Sequence, residues 1–146
     1  MCSENESSRD ILSGFIESLN NRDMEKALSF FDENAEWITP EGKFTGRGEL
    51  GPYLKWFGEN ILDVRVADRG LISQGRLSAC EMVLEGNSEG ENWEVTALSI
   101  CELTDARIIY MRTVYDRLGV AKQVAREGLA GLAVSKIVER MEEGLH

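Results

Sequence analysis

The stretch Val95-Thr96-Ala97-Leu98-Ser99-Ile100-Cys101-Glu102-Leu103-Thr104-Asp105-Ala106-Arg107-Ile108-Ile109-Tyr110-Met111-Arg112-Thr113-Val114-Tyr115 decides the fold. Two runs rich in Val, Ile, Leu, Thr and Tyr flank the interruption Thr104 to Arg107, the pattern of two strands joined by a tight hairpin. With Asp105-Ala106 at the tip, Leu103 faces Ile108. Counting back then pairs Ile100 with Met111, Leu98 with Thr113 and Thr96 with Tyr115 on one face. The opposite face collects Val95, Ala97, Ser99 and Cys101 with Tyr110, Arg112, Val114 and Asp116. The first face is the greasier, so it is predicted to pack on helices and line any cavity. The second is left for solvent or a partner subunit.

Two further strand-like runs precede this hairpin, Asp63 to Ser73 and Leu77 to Leu84, separated by Gly75 and by the cluster Gly86-Asn87-Ser88-Glu89-Gly90. No helix intervenes to carry a parallel crossover, so the sheet is expected to be antiparallel. Upstream the period changes. Ile11, Leu12, Phe15, Ile16 and Leu19 recur at helical spacing, followed by a polar joint at Asn20-Asn21-Arg22 and a second stripe of Met24, Ala27, Leu28 and Phe31 capped by Asp23. Ala35 to Thr39 reads as a short strand turning at Pro40-Glu41-Gly42, with Lys43-Phe44-Thr45 returning. Leu50, Tyr53, Leu54 and Phe57 then mark a third helix. Helical spacing returns from Leu118 across the Gly128 and Gly131 breaks. The predicted class is α+β, a curved antiparallel sheet wrapped around N-terminal helices, as a single domain over residues 1–146 with its core at about 8–123 and a helical tail at 124–146.

Length and composition fit one core. A chain of 146 residues, 42% apolar and 29% charged, buries about 70% of its unfolded surface. Sixteen Lys and Arg against 26 Asp and Glu leave a net charge of −10, with no basic cluster. Nucleic acid and anionic membrane surfaces are therefore not expected partners. No apolar run approaches a membrane span, and the three cysteines, Cys2, Cys80 and Cys101, read as reduced thiols of a cytoplasmic protein. Cys80 and Cys101 fall on opposite faces in the register above, which argues against a cross-strand disulfide. The one histidine, His146, is the last residue, which removes histidine triads and imidazole metal sites. No metal or cofactor is called for.

The phrases Phe15-Ile16-Glu17-Ser18-Leu19-Asn20-Asn21-Arg22-Asp23, Phe31-Asp32-Glu33-Asn34-Ala35-Glu36-Trp37, Phe44-Thr45-Gly46-Arg47 and Glu102-Leu103-Thr104-Asp105-Ala106-Arg107-Ile108, ending in Tyr115-Asp116, stand in a telling order. Over roughly Ile11 to Gln123 the chain resembles the nuclear transport factor 2-like, or SnoaL-like, superfamily. That resemblance implies a cone-shaped pocket between sheet and helices, used by polyketide cyclases, ketosteroid isomerases, epoxide hydrolases and binding modules, so fold does not settle function. It also implies where charged groups would sit. The last-strand carboxylate of similar epoxide hydrolases falls at Thr113, and their Arg and Asp fall at Cys80 and Met82. The Tyr and Asp of an isomerase fall at Phe15 and Thr39. Neither set is present.

The candidate ligand-binding residues are Phe15, Trp37, Thr39, Tyr53, Trp56 and Met82 from the helices and earlier strands. Thr96, Leu98, Ile100, Met111, Thr113 and Tyr115 come from the final hairpin. Trp37, Tyr53, Trp56, Tyr115 and Phe15 are either an aromatic cage or plain core. Tyr53 and Tyr115 either donate to a ligand carbonyl or satisfy backbone carbonyls. This list holds no Asp, Glu, His or Lys, which favours binding of an apolar small molecule, although the loop acid Glu41 can reach in. The alternative is an isomerase, cyclase or hydrolase acting on a polyketide- or steroid-like substrate. Val95, Ala97, Ser99, Cys101 and Val114, with Tyr110 and Arg112, form a face too apolar for solvent and predict a homodimer through it, with Arg112 and Asp116 as a structural pair.

Overall fold

A computed structural model describes residues 2–88, 90–125 and 128–143, so His146 lies outside the described residues, as does the side chain of Cys2. The chain runs α1 (Cys2–Asn20), α2 (Met24–Ser29), β1 (Phe31–Thr39), β2 (Gly42–Thr45), α3 (Arg47–Asn60), β3 (Ile61–Gln74), β4 (Leu77–Ser88), β5 (Glu91–Thr104), β6 (Arg107–Tyr115), α4 (Arg117–Val124) and α5 (Gly128–Glu143). Phe31 opens β1 rather than closing α2. Leu12, Phe15, Ile16 and Leu19 of α1 and Leu50, Tyr53, Leu54 and Phe57 of α3 bury the stripes that their spacing predicts. Each such burial contributes about 1.5–3 kcal/mol.

The six strands lie in the order β2-β1-β6-β5-β4-β3. The meander β3 to β6 is antiparallel, and so is the β1–β2 hairpin. β1 joins β6 in parallel, so the sheet is mixed. Everything from β2 to β5 lies in the connection between those two neighbours, a connection that local strand spacing does not reveal. Irregularities bend the sheet. Between Val66 and Leu71 β3 slips against β4, and a Cβ at Gly70 would sit 2.5 Å from the Glu81 carbonyl oxygen, so only glycine fits there. At Gly86 a Cβ would meet the Trp93 ring at 2.1 Å, because the indole lies across that glycine on the neighbouring strand.

The final hairpin departs from the simple count. Asp105 and Ala106, at φ 52° and 63°, form the predicted two-residue tip, and Leu103 pairs with Ile108. Beyond that pair Glu102 faces Tyr110, so Ile109 is an extra residue in β6, a β-bulge. From there Cys101 pairs with Met111, Ser99 with Thr113 and Ala97 with Tyr115. Met111, Thr113 and Tyr115 keep their inward face, but β5 is turned over. Ala97, Ser99 and Cys101 are buried, while Thr96, Leu98 and Ile100 are on the outer face, Leu98 and Ile100 at 52% and 54% exposure. Cys80 and Cys101 consequently share the inner face, opposite Ser99 and Ser78 respectively, and both are free thiols.

The polar joint after α1 latches the helix layer to β3. The Asn20 side-chain amide donates to the Val64 carbonyl and its oxygen accepts the Val64 N–H, both at 2.8 Å, while the Arg22 guanidinium donates to the carbonyls of Ile61 and Leu62. At the other end of the sheet Asp116 caps α4 by accepting the Gly119 N–H at 2.9 Å. It makes no ion pair with Arg112 among the described residues. The Gln123 amide bonds both backbone groups of Glu94, where β5 runs beyond the end of β6. Glu139, Arg140, Glu142 and Glu143 of α5 are exposed, as their charge implies.

The bulge makes a checkable statement about volume. Ala97→Leu forces extra methylenes into a fully buried site and is expected to lower stability by about 1–3 kcal/mol in urea denaturation. Thr96→Lys, on the exposed side, is expected to stay within about 0.5 kcal/mol of wild type. The opposite ranking would restore the unbulged register.

Candidate functional site

Between the sheet and helices α1 and α3 the side chains close on a small inner chamber with about 30 Å³ of free space. Its walls are Leu12, Phe15, Ile16 and Leu19 from α1, Tyr53 and Phe57 from α3, and Trp37 from β1. The sheet floor supplies Val64, Cys80, Met82, Leu84, Ser99, Cys101, Met111, Thr113 and Tyr115. Aromatic rings account for the closure. Trp37 meets Phe15 and Tyr53 edge-on at 5.9 and 5.1 Å, and stacks on Phe31 at 5.6 Å. Much of the proposed cage is thus core.

The chamber's central polar groups satisfy one another. Trp37 Nε1 donates to Thr113 Oγ1 at 3.0 Å, and Thr113 Oγ1 and Ser99 Oγ are 2.7 Å apart. Burial pushes the Cys80 thiol up to about 11, and burial with the charge of Cys80 pushes Cys101 up to about 12. Both are protonated at neutral pH and are poor nucleophiles. Of the positions that the family resemblance assigns to functional groups, Phe15, Cys80, Met82 and Thr113 face this chamber with neutral side chains, and Thr39 does not line it.

The mouth of the chamber is different. Thr39 is buried, and its Oγ1 accepts the Glu41 N–H at 3.1 Å, while Arg117 Nη1 donates to the Pro40 carbonyl at 3.1 Å. The β1–β2 turn is therefore held from both sides, and it carries Glu41 inward. Tyr115 Oη donates to Glu41 Oε1. Glu41 Oε2 is buried and has no hydrogen-bond partner among the described residues. Tyr115 is raised above the ordinary phenol value by burial first, then by its hydrogen bond to Glu41 and the charge there. Burial raises Tyr53 too, against an opposing hydrogen bond from Thr39. Both phenols are neutral at neutral pH, and Tyr115 is a donor.

Outside Tyr115 lies a second cavity of about 240 Å³, lined by Glu41, Trp56, Asn60, Ile61, Ser88, Trp93, Tyr115, Arg117, Val120 and Ala121. Of the residues that the sequence nominates, Phe15, Trp37, Tyr53, Met82, Met111, Thr113 and Tyr115 line the inner chamber. Trp56 lines the outer cavity, and Thr39 supports the turn between them. Thr96, Leu98 and Ile100 line neither, because the Ile109 bulge turns them outward. Ser99 and Cys101 take their places. Trp93, Arg117 and the helix α4 wall are additions; Trp93 alternates with Val95 and Ala97 and was legible once β5 is turned over.

The profile of the SnoaL-like domain family matches residues 12–111. The chain belongs to the SnoaL-like domain family. No functionally curated protein matches its sequence. Among solved structures it is similar to a putative isomerase from Bacillus subtilis, with a TM-score of 0.73 and 20% identity over 86% of this chain and 98% of the other. An epoxide hydrolase of M. tuberculosis gives 0.69 and 16%, covering 89% and 97%. A putative polyketide cyclase from Xanthomonas campestris gives 0.68 and 16%, covering 77% and 93%. At these identities the likeness establishes the fold, with its N-terminal helices, curved open mixed sheet and C-terminal helix.

The hydrogen-bond chain in this SnoaL-like chamber is open to test. Thr113→Val keeps the shape but leaves the Trp37 N–H and Ser99 hydroxyl without their partner, and is expected to cost about 1–3 kcal/mol in urea unfolding. Thr113→Ser is expected to recover most of that loss; an unchanged midpoint in Thr113→Val would remove the chain from the account.

Proposed function

We propose that this SnoaL-like protein binds an apolar small molecule at the cavity between sheet and helices, entering from the outer cavity. The observation that carries the reading is the wall itself. From α1 to β6 it is aromatic and aliphatic, and its hydroxyls and indole are already paired. A ligand larger than the inner void displaces side chains, and Met82 and Met111 are the adaptable ones. An isomerase, cyclase or hydrolase acting on a polyketide- or steroid-like molecule is the second reading, favoured by one observation, the carboxylate of Glu41 beside Tyr115. Cytoplasmic residence belongs to the same proposal, supported by the two free buried thiols. No helix among the described residues is long and apolar enough to cross a membrane.

A thermal-shift screen over ketones, polyketide-like aromatics, sterols and fatty acids tests the reading. Ligand at a hundredfold excess over Kd adds about 2.7 kcal/mol, which raises Tm by several degrees. Stabilisation by charged sugars or nucleotides alone would contradict an apolar site.

We further propose a homodimer through the outer sheet face, in which Val114 and Arg112 stay as the simple register has them while Leu98 and Ile100 replace Ala97, Ser99 and Cys101. Ile72, Leu98, Ile100 and Val114 are each more than half exposed there, and Glu81 and Arg112 flank the same groove without an ion pair to one another. A patch carrying both signs of charge is self-complementary about a two-fold axis. Sedimentation equilibrium is expected to find a dimer at micromolar concentration, weakened at least about tenfold by Arg112→Glu. A wild-type monomer at that concentration would contradict it.

A further inference from the structure

Among the described residues, one oxygen on the wall of the outer cavity is both fully buried and without a partner, Glu41 Oε2. Three polar side chains beside it bond within the chain. The Asn60 amide donates to the Trp56 carbonyl at 2.8 Å, Trp93 Nε1 to Ser88 Oγ at 3.3 Å and Arg117 Nη1 to the Pro40 carbonyl. Glu41 Oε1 is taken by Tyr115, and Glu41 Oε2 is buried with nothing to accept from. A carboxylate oxygen withdrawn from water without a donor is held at a penalty larger than that of losing an ordinary hydrogen bond. The turn nevertheless holds it there through Thr39 and Arg117. A donor that reaches it from the adjoining cavity would satisfy it.

We infer that Glu41 Oε2 is the anchor for a hydroxyl group on the ligand, so that the site takes a flat apolar molecule bearing an alcohol or phenol O–H. This rests on the apolar-ligand reading and adds its polar end. The shape follows from the wall, where Trp56, Trp93, Ile61 and Val120 offer the apolar surface. The charge follows as well. Arg117 shares the cavity and opposes a cationic headgroup, while Glu41 opposes a carboxylate, leaving a neutral donor as the group that both tolerate. Tyr115 contributes by occupying Oε1, so that Oε2, buried beside the cavity, is the oxygen left for a ligand that displaces the side chains covering it.

Isothermal titration calorimetry with three probes of one shape tests this: 2-naphthol, which donates, and 2-methoxynaphthalene and 2-acetylnaphthalene, which only accept. Wild type is expected to bind 2-naphthol about tenfold more tightly than either of the others, the ratio that a hydrogen bond to a charged acceptor commands. Glu41→Gln is expected to reverse the order. Tyr115 then holds the amide oxygen, and the amide NH₂ occupies the place of Oε2, so 2-acetylnaphthalene becomes the preferred probe. The wild-type ratio needs no variant to fold. Equal affinities in wild type, or an unchanged order in Glu41→Gln, would overturn the anchor and leave apolar binding standing. Binding of none of the three would overturn the anchor together with the apolar-ligand reading.

Discussion

Ile109, the one residue by which β6 outnumbers β5 beside the hairpin tip, governs what the cavity is made of. Side chains alternate across a sheet with a period of two, so a single extra residue exchanges every inward and outward position of the partner strand beyond it. The exchange brings in Ala97, Ser99 and Cys101, all small, and sends out Thr96, Leu98 and Ile100. Large side chains from β5 would fill the space that Trp37, Phe15 and Tyr53 occupy. With small ones, the rings meet the sheet floor, and Ser99 comes within 2.7 Å of Thr113 to complete the Trp37 hydrogen bond.

The same exchange determines the chemistry of the two faces. Inside, Cys80 and Cys101 share a dry wall that raises both thiols and keeps them inert, and among the described residues no carboxylate, lysine or histidine lines the inner chamber. Outside, Leu98 and Ile100 join Val114 and Ile72 to make an apolar face, in which the unbulged register has Val114 but puts Ala97, Ser99 and Cys101 in place of Leu98 and Ile100. The functional weight then moves to the mouth. There the chain places a carboxylate on a braced turn, pairs half of it with a phenol, and leaves its other oxygen buried without a partner beside a cavity of about 240 Å³.

Much of this was legible before any coordinates. Helix stripes such as Leu50, Tyr53, Leu54 and Phe57 repeat at a spacing that only a helix puts on one side, and the Asp105-Ala106 tip is marked by flanking strands of clear composition. Phe15, Trp37, Met82, Met111, Thr113 and Tyr115 reach the chamber because their positions follow from such local periodicities. The bulge was not legible, since Ile108, Ile109, Tyr110 and Met111 are four apolar residues in a row with no glycine or polarity change to mark the extra one. The parallel pairing of β1 with β6 was hidden for another reason: it joins segments more than seventy residues apart, and neither strand's pattern names its neighbour. Glu41 lay between these cases, visible in a Pro-Glu-Gly turn with Thr39 beside it, yet directed inward by Tyr115 and Arg117, which come from a distant part of the chain.

The central claim is that β5 turns Ala97, Ser99 and Cys101 into the cavity, and thiol labelling reads that orientation directly. In a Thr96→Cys variant treated under native conditions at neutral pH with a thiol reagent, labelled positions can be mapped by peptide mass spectrometry. The account predicts rapid modification at position 96, with Cys101 and Cys80 protected by burial and by their raised thiol values of about 12 and 11. Rapid modification of Cys101 alongside a protected position 96 would contradict it, and would return Thr96, Leu98 and Ile100 to the cavity wall.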